Sequence, residues 1–409
     1  MSSKAALLWD ESYLWGLIAY RALKKLSLDF SLITSDEIKH GALDGGRLLY
    51  VPGGWASNKF ASLGNEGAQK IKEFVKNGGS YIGVCGGAGL ATSEGLGLLD
   101  IKRRPLNERV PSLSGKIRAK IVSAHPFWNG LKGHSPLFNI WWPSQFKIED
   151  PSIKVIASFD GPSPGAFSSD LNVGSVRDWD ALEAEYKLNL NPGRMRGEPL
   201  ALEGAYGAGR IFLTLIHPDT PNDPNGEGAL KNLWEYLGGE RSEGKGKEIK
   251  KTVFFPGRQN GNGILKRKLL APVKELFDLG SRNFLWFKDG WIVRWRRGVR
   301  GLEYFTLYEL VKELARRVGQ APASVEQQVE IESLIPELRG FTEKAGRLLM
   351  LERLALQRGE ALTFSKASDP DMAVLREKLF SNAKSHGGRF KELLDKVDRV
   401  LYGYLKREG

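Results

Sequence analysis

The first 240 residues predict a doubly wound α/β domain on a mostly parallel sheet, and the remainder predicts a second, mainly α-helical domain. Three observations carry this. Short apolar runs alternate with helical patterns in the first hundred residues, which is the rhythm of βαβ units. Charge is divided unevenly: residues 1–240 hold 26 Lys/Arg against 26 Asp/Glu, so the whole net charge of +12 falls on the rest. Between the two parts, 241–262 opens on a charged, glycine-bearing stretch without apolar period and reads as a linker, leaving 263–409 as the basic module. A chain of 409 residues also exceeds one ordinary core.

Taken in order, 5–9, 28–33, 47–52 and 80–84 are continuous apolar runs, as expected of strands buried on both faces. Residues 12–26 form the first helical pattern. A second spans 65–77, where Ala68, Ile71 and Val75 share one face and Gly78-Gly79 supplies the stop. Further on, 116–122 and 152–159 read as strands and 161–170 as a loop. Residues 199–219 contain two apolar runs joined at Gly207 and Gly209, and 229–238 a short helix. In the basic part, 284–295 reads as a hairpin turning at Asp289-Gly290. Helical patterns follow at 306–318, 323–336, 342–358 and 371–406.

Composition narrows the function classes. With 41% hydrophobic and 26% charged residues and a mean hydropathy of -0.31, the chain reads as soluble and globular. No apolar run approaches the roughly 18–20 residues of a membrane span. Asp10 and Glu11 interrupt the first apolar stretch, which does not read as a signal peptide, so a cytoplasmic location is expected. The single cysteine forbids an internal disulfide and a multi-cysteine metal site. His125 and His134 have few carboxylates nearby, so neither metal nor cofactor is expected.

That cysteine lies in Ser-Tyr-Ile-Gly-Val-Cys-Gly-Gly-Ala-Gly-Leu, where a strand runs into Cys85 amid glycines 83, 86, 87 and 89. So tight a strand-to-helix turn tolerates little side chain and lifts the nucleophile above the sheet. The N-terminus of the next helix favours the thiolate and offers free N–H groups to an oxyanion. A buried, unreactive thiol is the competing reading. Val-Pro-Gly-Gly-Trp at 51–55 follows another strand, so backbone amides there approach the carboxyl end of the sheet, where open α/β folds bind ligands. His217-Pro218-Asp219 closes a third apolar run and places a histidine beside a carboxylate able to orient it.

Strand-Pro-Gly-Gly, strand-Gly-x-Cys-x-Gly-helix and strand-x-His-Pro-acid, in that order over some 220 residues, resemble the layout of class I glutamine amidotransferase-like domains, whose sheet is flavodoxin-like. Within them the chain is most similar to the biotin-protein ligase N-terminal domain, through Pro-Gly-Gly-Trp, residues 74–88 and residues 207–219. The resemblance implies Cys85 as nucleophile, His217 as base and Asp219 as orienting acid. Gly53, Gly54, Gly86 and Gly87 would line the oxyanion and substrate site, with the amides of Gly54 and Gly86 as donors. It implies amide-directed chemistry on a small amide-type substrate through a covalent intermediate. Two departures bear on glutamine: Gly89 stands where glutamine-hydrolysing members carry Gln, and Asp219 where they carry Glu. A catalytically inactive, ligand-binding or scaffold descendant is the alternative. The biotin ligase domain itself is not recognisable in residues 241–409.

Two lesser signals remain. Trp141, Trp142, Pro143, Gln145 and Phe146 form an aromatic cluster that suits a core, an interface or a pocket wall. Trp291, Arg294, Trp295, Arg296, Arg297 and Arg300 interleave aromatic and basic residues, with Lys266, Arg267, Lys268, Arg316 and Arg317 adding to the field. Such a strip can track nucleic acid, and the charge equally suits an acidic protein partner. A hairpin with one packed and one solvated basic face is the plainer reading. The sequence does not fix an oligomeric state.

Overall fold

The computed structural model describes residues 4–241, 261–320, 325–364, 367, 369–381 and 385–407. The chain divides into two compact units, Met1–Gly244 and Lys245–Glu408. Most of the expected linker at 241–262 lies outside the described residues.

In the first unit, β1 (Ala5–Leu8), β2 (Ser31–Ile33), β3 (Leu48–Val51) and β4 (Ser80–Val84) are four of the apolar runs, slightly trimmed. Helix α1 (Tyr13–Lys25) matches its pattern. Helix α2 (Ser35–Lys39) escapes a search for apolar period because it is a single capped turn: the Thr34 side chain accepts from the Glu37 amide while the Glu37 side chain accepts from the Thr34 amide. Helix α3 (Ala56–Lys76) starts nine residues before the expected 65. Gly64 is non-helical at φ 62° and divides it, so the expected stretch is its second half. Leu63, Ile71 and Val75 are fully buried, each contributing roughly 1.5–3 kcal/mol of transfer energy. Helix α4 (Gly86–Leu90) follows Cys85.

The middle region is richer in strand than its sequence suggests: β5 (Ile101–Arg103), β6 (Leu113–Ile121), β7 (Leu137–Trp141), β8 (Phe146–Ile148) and β9 (Lys154–Pro162). The loop expected at 161–170 carries β10 (Phe167–Ser168), and β11 (Leu171–Asn172) and helix α5 (Trp179–Tyr186) follow. Strands β12 (Pro199–Tyr206) and β13 (Gly209–Thr214) form the expected antiparallel pair, turning at Gly207, φ 60°. Helix α6 (Pro224–Tyr236) begins earlier than expected, capped by Asp223 with Pro224 in its first turn.

The main sheet runs β11-β10-β6-β9-β12-β13-β4-β3-β1-β2, with β7 added beside β6. Five strands, β2-β1-β3-β4-β13, are mutually parallel in a flavodoxin-like order, and the rest extend the sheet antiparallel. Register aligns Val51 with Gly83 and Thr214 with Val84, so three strand ends finish side by side.

The second unit is mainly helical: α7 (Gly261–Arg282), the hairpin of β14 (Trp286–Asp289) and β15 (Ile292–Trp295), α8 (Gly301–Gln320), α9 (Val325–Gln357), α10 (Pro370–Phe380) and α11 (Gly388–Lys406). Asp289 pairs with Ile292, so Gly290-Trp291 forms the turn, one residue later than expected. The patterns at 323–336 and 342–358 belong to one helix: α9 continues through Pro336. The pattern at 371–406 is two helices. No helix among the described residues is long and apolar enough to cross a membrane.

Two arginines of the aromatic-basic strip are internal. Arg294 is buried and donates to Asp289 at 2.7 Å, and Arg300 is buried against Glu303 at 2.9 Å. It also lies over the rings of Phe364 and Phe380. Only Arg296 of the four arginines is exposed.

Behind Arg300, Glu352 is buried and accepts from Arg376 Nε at 2.9 Å, while its Oε2 has no hydrogen-bond partner. Burial, offset in part by Arg376, pushes Glu352 up to about 7. A raised carboxyl lends stability below its ordinary value of 4.5, lost as pH rises through 7. Urea titrations are therefore expected to show this unit weakening from pH 5 to 8, by at most roughly 3 kcal/mol. Glu352→Gln should flatten that slope, and an unchanged slope would assign it to other groups.

Candidate active site

Each site residue follows the end of a parallel strand. The β4–β13 ladder runs one step past β4, the Cys85 amide donating to the Thr214 carbonyl at 2.8 Å. The chain then reverses into α4, where the Gly89 amide donates to the Cys85 carbonyl at 2.9 Å. Cys85 makes that turn at φ 50°, ψ -102°, a conformation that costs a non-glycine residue about 1–3 kcal/mol. Its thiol is half-buried and donates to the Trp141 carbonyl at 3.3 Å.

The glycines exist for close approach. A Cβ on Gly86 would sit 1.8 Å from the Gly54 carbonyl oxygen, and one on Gly87 2.0 Å from that of Val51. Gly54, at φ 115°, has room for no Cβ beside the Glu11 carbonyl. Gly53 packs against Trp15 and the His217 ring. The four glycines expected to line the site therefore fall in two touching loops at the ends of β3 and β4.

His217 reaches the same place from β13. Its amide donates to the Asn139 carbonyl at 2.8 Å and its carbonyl accepts from Thr220 Oγ1 at 2.7 Å, which pins the turn through Pro218. Nδ1 faces Asp219 Oδ1 at 3.3 Å. Tyr50 of β3 donates to the other oxygen of Asp219, also at 3.3 Å. Both side chains of the His-Asp pair are buried. Burial pushes the imidazole down, but hydrogen bonding with Asp219 and Cys85, and their charges, outweigh it and raise His217 to about 10. The buried Nε2 makes no hydrogen bond of good geometry, since the thiol is directed at Trp141. Cys85, His217 and Asp219 thus converge, with Nε2 the ring atom left for the sulfur.

Three further side chains or backbone groups complete the site, and of these only Trp141 lay in a cluster visible in the sequence. Trp15 of α1 places its ring 4.7 Å from that of His217 and 5.7 Å from that of Trp141, tilted to both. Trp141, from the aromatic cluster, supplies the carbonyl that holds the thiol. Lys59 of α3 is fully buried and donates to Ser12 Oγ at 2.5 Å and the Asp10 carbonyl at 3.3 Å. It ties the β1–α1 loop, where Glu11 and Tyr13 have positive φ, to the loop of Gly53 and Gly54. The one available signal was Tyr50: a phenol in a fully buried strand needs a polar partner.

His125 is a structural histidine, capping the turn at Phe127 through Nδ1 and facing Glu203 at 3.5 Å. Among the described residues no three His, Cys, Asp or Glu side chains are placed to hold a metal.

The family described as biotin-protein ligase, N terminal, matches residues 29–95, a span that includes Gly53, Gly54, Cys85, Gly86 and Gly87. No curated protein matches the chain. Among solved structures it is similar to a candidate GMP synthase component of Thermoplasma acidophilum, at 13% identity and a TM-score of 0.37 over 58% of this chain and 95% of that one. It is also similar to the β-galactosidase of Rahnella sp. R3, at 14% identity and a TM-score of 0.37 over 59% of this chain and 32% of that one. The β-galactosidase of Bacillus circulans gives 15% identity and a TM-score of 0.36 over 58% and 32%. The chain spans about a third of the length of these two enzymes.

Proposed function

We propose that the α/β unit is a cysteine-dependent amidohydrolase or acyl transferase of amidotransferase type. The observation that carries this reading is the strained backbone of Cys85 beside a buried His217-Asp219 pair. Strain of that kind persists where the surroundings impose it, and clusters at reactive sites. In the proposed reaction the Cys85 proton passes to His217, the sulfur attacks a carbonyl carbon, and the amides of Gly54 and Gly86 receive the developing oxyanion. The carbon–nitrogen bond breaks, and His217 gives its proton to the departing amine. Water, or an acceptor amine, then attacks the thioester, His217 takes the attacker's proton, the carbon–sulfur bond breaks, and the departing sulfur recovers its proton from His217. Asp219, held by Tyr50, orients the ring and balances its charge.

The bond from the thiol to the Trp141 carbonyl favours a second reading, a ligand-binding scaffold with a resting cysteine. p-Nitrophenyl acetate separates the two. An enzyme should release about one p-nitrophenolate per chain in a burst and carry an acetyl group on Cys85, and Cys85→Ser should do neither. Absence of burst and adduct in the wild-type chain leaves the scaffold. With Gly89 where glutamine-hydrolysing relatives carry Gln, free ammonia from glutamine is expected to stay at background. Robust release that is lost in Cys85→Ala would reverse that expectation.

A further inference from the structure

We propose that the chain binds, beside Cys85, a carbonyl compound carrying a compact oxyanion, a carboxylate or a phosphate, held by Arg103 and Arg109 near Gly89. The inference rests on Cys85 being the nucleophile and adds the class of substrate. Gly89 is the starting point because neither backbone nor packing requires a glycine there. Its φ is not positive, and the nearest atoms a Cβ would meet are Ala56 Cβ at 3.4 Å, Arg103 Cδ at 3.7 Å and Ser144 Oγ at 3.7 Å, all ordinary contacts. Glycine in a helix is nonetheless less stable than alanine. What the missing side chain leaves is a methyl-sized space, one helical turn from the nucleophile and bordered by Arg103 and Ser144.

Two arginines converge on that room from one segment. Arg103 ends β5, which pairs with β8 at Phe146, and its Nε donates to Glu94 at 2.8 Å in a half-exposed pair. Arg109 is half-buried, donates from Nη1 to the Ser144 carbonyl at 3.4 Å, and has a buried Nε with no hydrogen-bond partner. Burial first, and then the charge of Arg103, hold its guanidinium below the ordinary range, with Glu94 opposing. Like charges brought together with an unsatisfied donor are the arrangement an oxyanion completes. The segment is fixed to the site: Gln145 Oε1 accepts from the Val110 amide at 2.6 Å, and the Arg104 amide donates to the Gln145 carbonyl at 2.8 Å. Gln145 lies four residues beyond Trp141, whose carbonyl holds the thiol.

The test uses two alkylating probes of nearly equal size, anionic iodoacetate and neutral iodoacetamide, on the full chain. Arg103→Gln/Arg109→Gln is expected to lower the ratio of iodoacetate to iodoacetamide rate at Cys85 by about tenfold, a loss on the scale of one charge-assisted bond. Lys102→Gln removes a neighbouring exposed charge and should leave the ratio unchanged. Gly89→Gln fills the room and should lower the ratio while sparing iodoacetamide. Protection of the wild type by inorganic phosphate, or by acetate, then distinguishes the two oxyanions. Rapid iodoacetamide labelling with a ratio unmoved by the arginine substitutions overturns the anion site and leaves the nucleophile standing. No labelling by either probe overturns the nucleophile, and this inference with it.

Discussion

Iodoacetamide is expected to alkylate Cys85 rapidly near neutral pH, and His217→Ala to slow that reaction by about one to two orders of magnitude. The thiolate is the attacking species, and a cation beside the sulfur favours it. His217, raised to about 10 by Asp219 and Cys85 against its burial, stays protonated through the neutral range and supplies that cation. A well-placed base or its conjugate acid is worth about 10²–10⁴ in such steps. The lower end applies here because alkylation needs no proton delivered to a leaving group. Asp219→Asn keeps the shape and removes the charge, so its rate should fall between wild type and His217→Ala. Cys85→Ser should remove all labelling, since no other thiol exists. The same linkage fixes a stability trend: a histidine raised from 6.5 to about 10 stabilises the fold below 6.5, and that contribution is lost as pH climbs towards 10. His217→Gln should flatten that part of the pH profile. Equal labelling of wild type and His217→Ala would mean that the ring does not act on the sulfur.

The parts of this site visible in the sequence are those fixed by local rules. Cys85, Gly53, Gly54 and His217 each follow an apolar strand directly, and a strand end is a place in the fold as well as in the chain. The five parallel strands were legible for the same reason: buried on both faces, they read as short, mostly apolar runs. The antiparallel extension was harder. β7 and β8 are short, interrupted by polar residues and separated by a loop in which Trp142 and Gln145 both take positive φ. Nothing in Trp-Trp-Pro-Ser-Gln announces that the first tryptophan's carbonyl will meet a thiol 56 residues earlier. Lys59 was invisible because a lysine ordinarily faces water, and only the tertiary fold buries it over Ser12. In the basic unit charge alone was a poor guide to exposure. Arg294 and Arg300 counted towards a surface field by charge alone, whereas the fold spends them internally on Asp289 and Glu303.

Gly86→Ala is expected to cost the α/β unit at least about 3 kcal/mol, while Gly89→Ala, one turn later in the same helix, should be neutral or slightly stabilising. The contrast rests on what each methyl would touch. At Gly86 it would lie 1.8 Å from the Gly54 oxygen and 2.6 Å from its carbon, both backbone atoms that no rotamer change can move. Relief requires the Pro52-Gly53-Gly54 loop to withdraw, yet Gly53 is held between Trp15 and the His217 ring and Gly54 lies against the Glu11 carbonyl. The strain therefore spreads to the ends of β1, β3 and β13 together. At Gly89 the methyl meets nothing nearer than 3.4 Å, and replacing a helical glycine by alanine restricts the unfolded chain. For a unit of this size 3 kcal/mol corresponds to a fall in Tm of roughly 6–12 °C, readily resolved by calorimetry at one pH and salt concentration. The outcome also bears on chemistry. The amides of Gly54 and Gly86 can share one oxyanion only if their backbones touch as described. Should Gly86→Ala melt with the wild-type chain, the two loops lie further apart, and an oxyanion hole built from both amides must be abandoned.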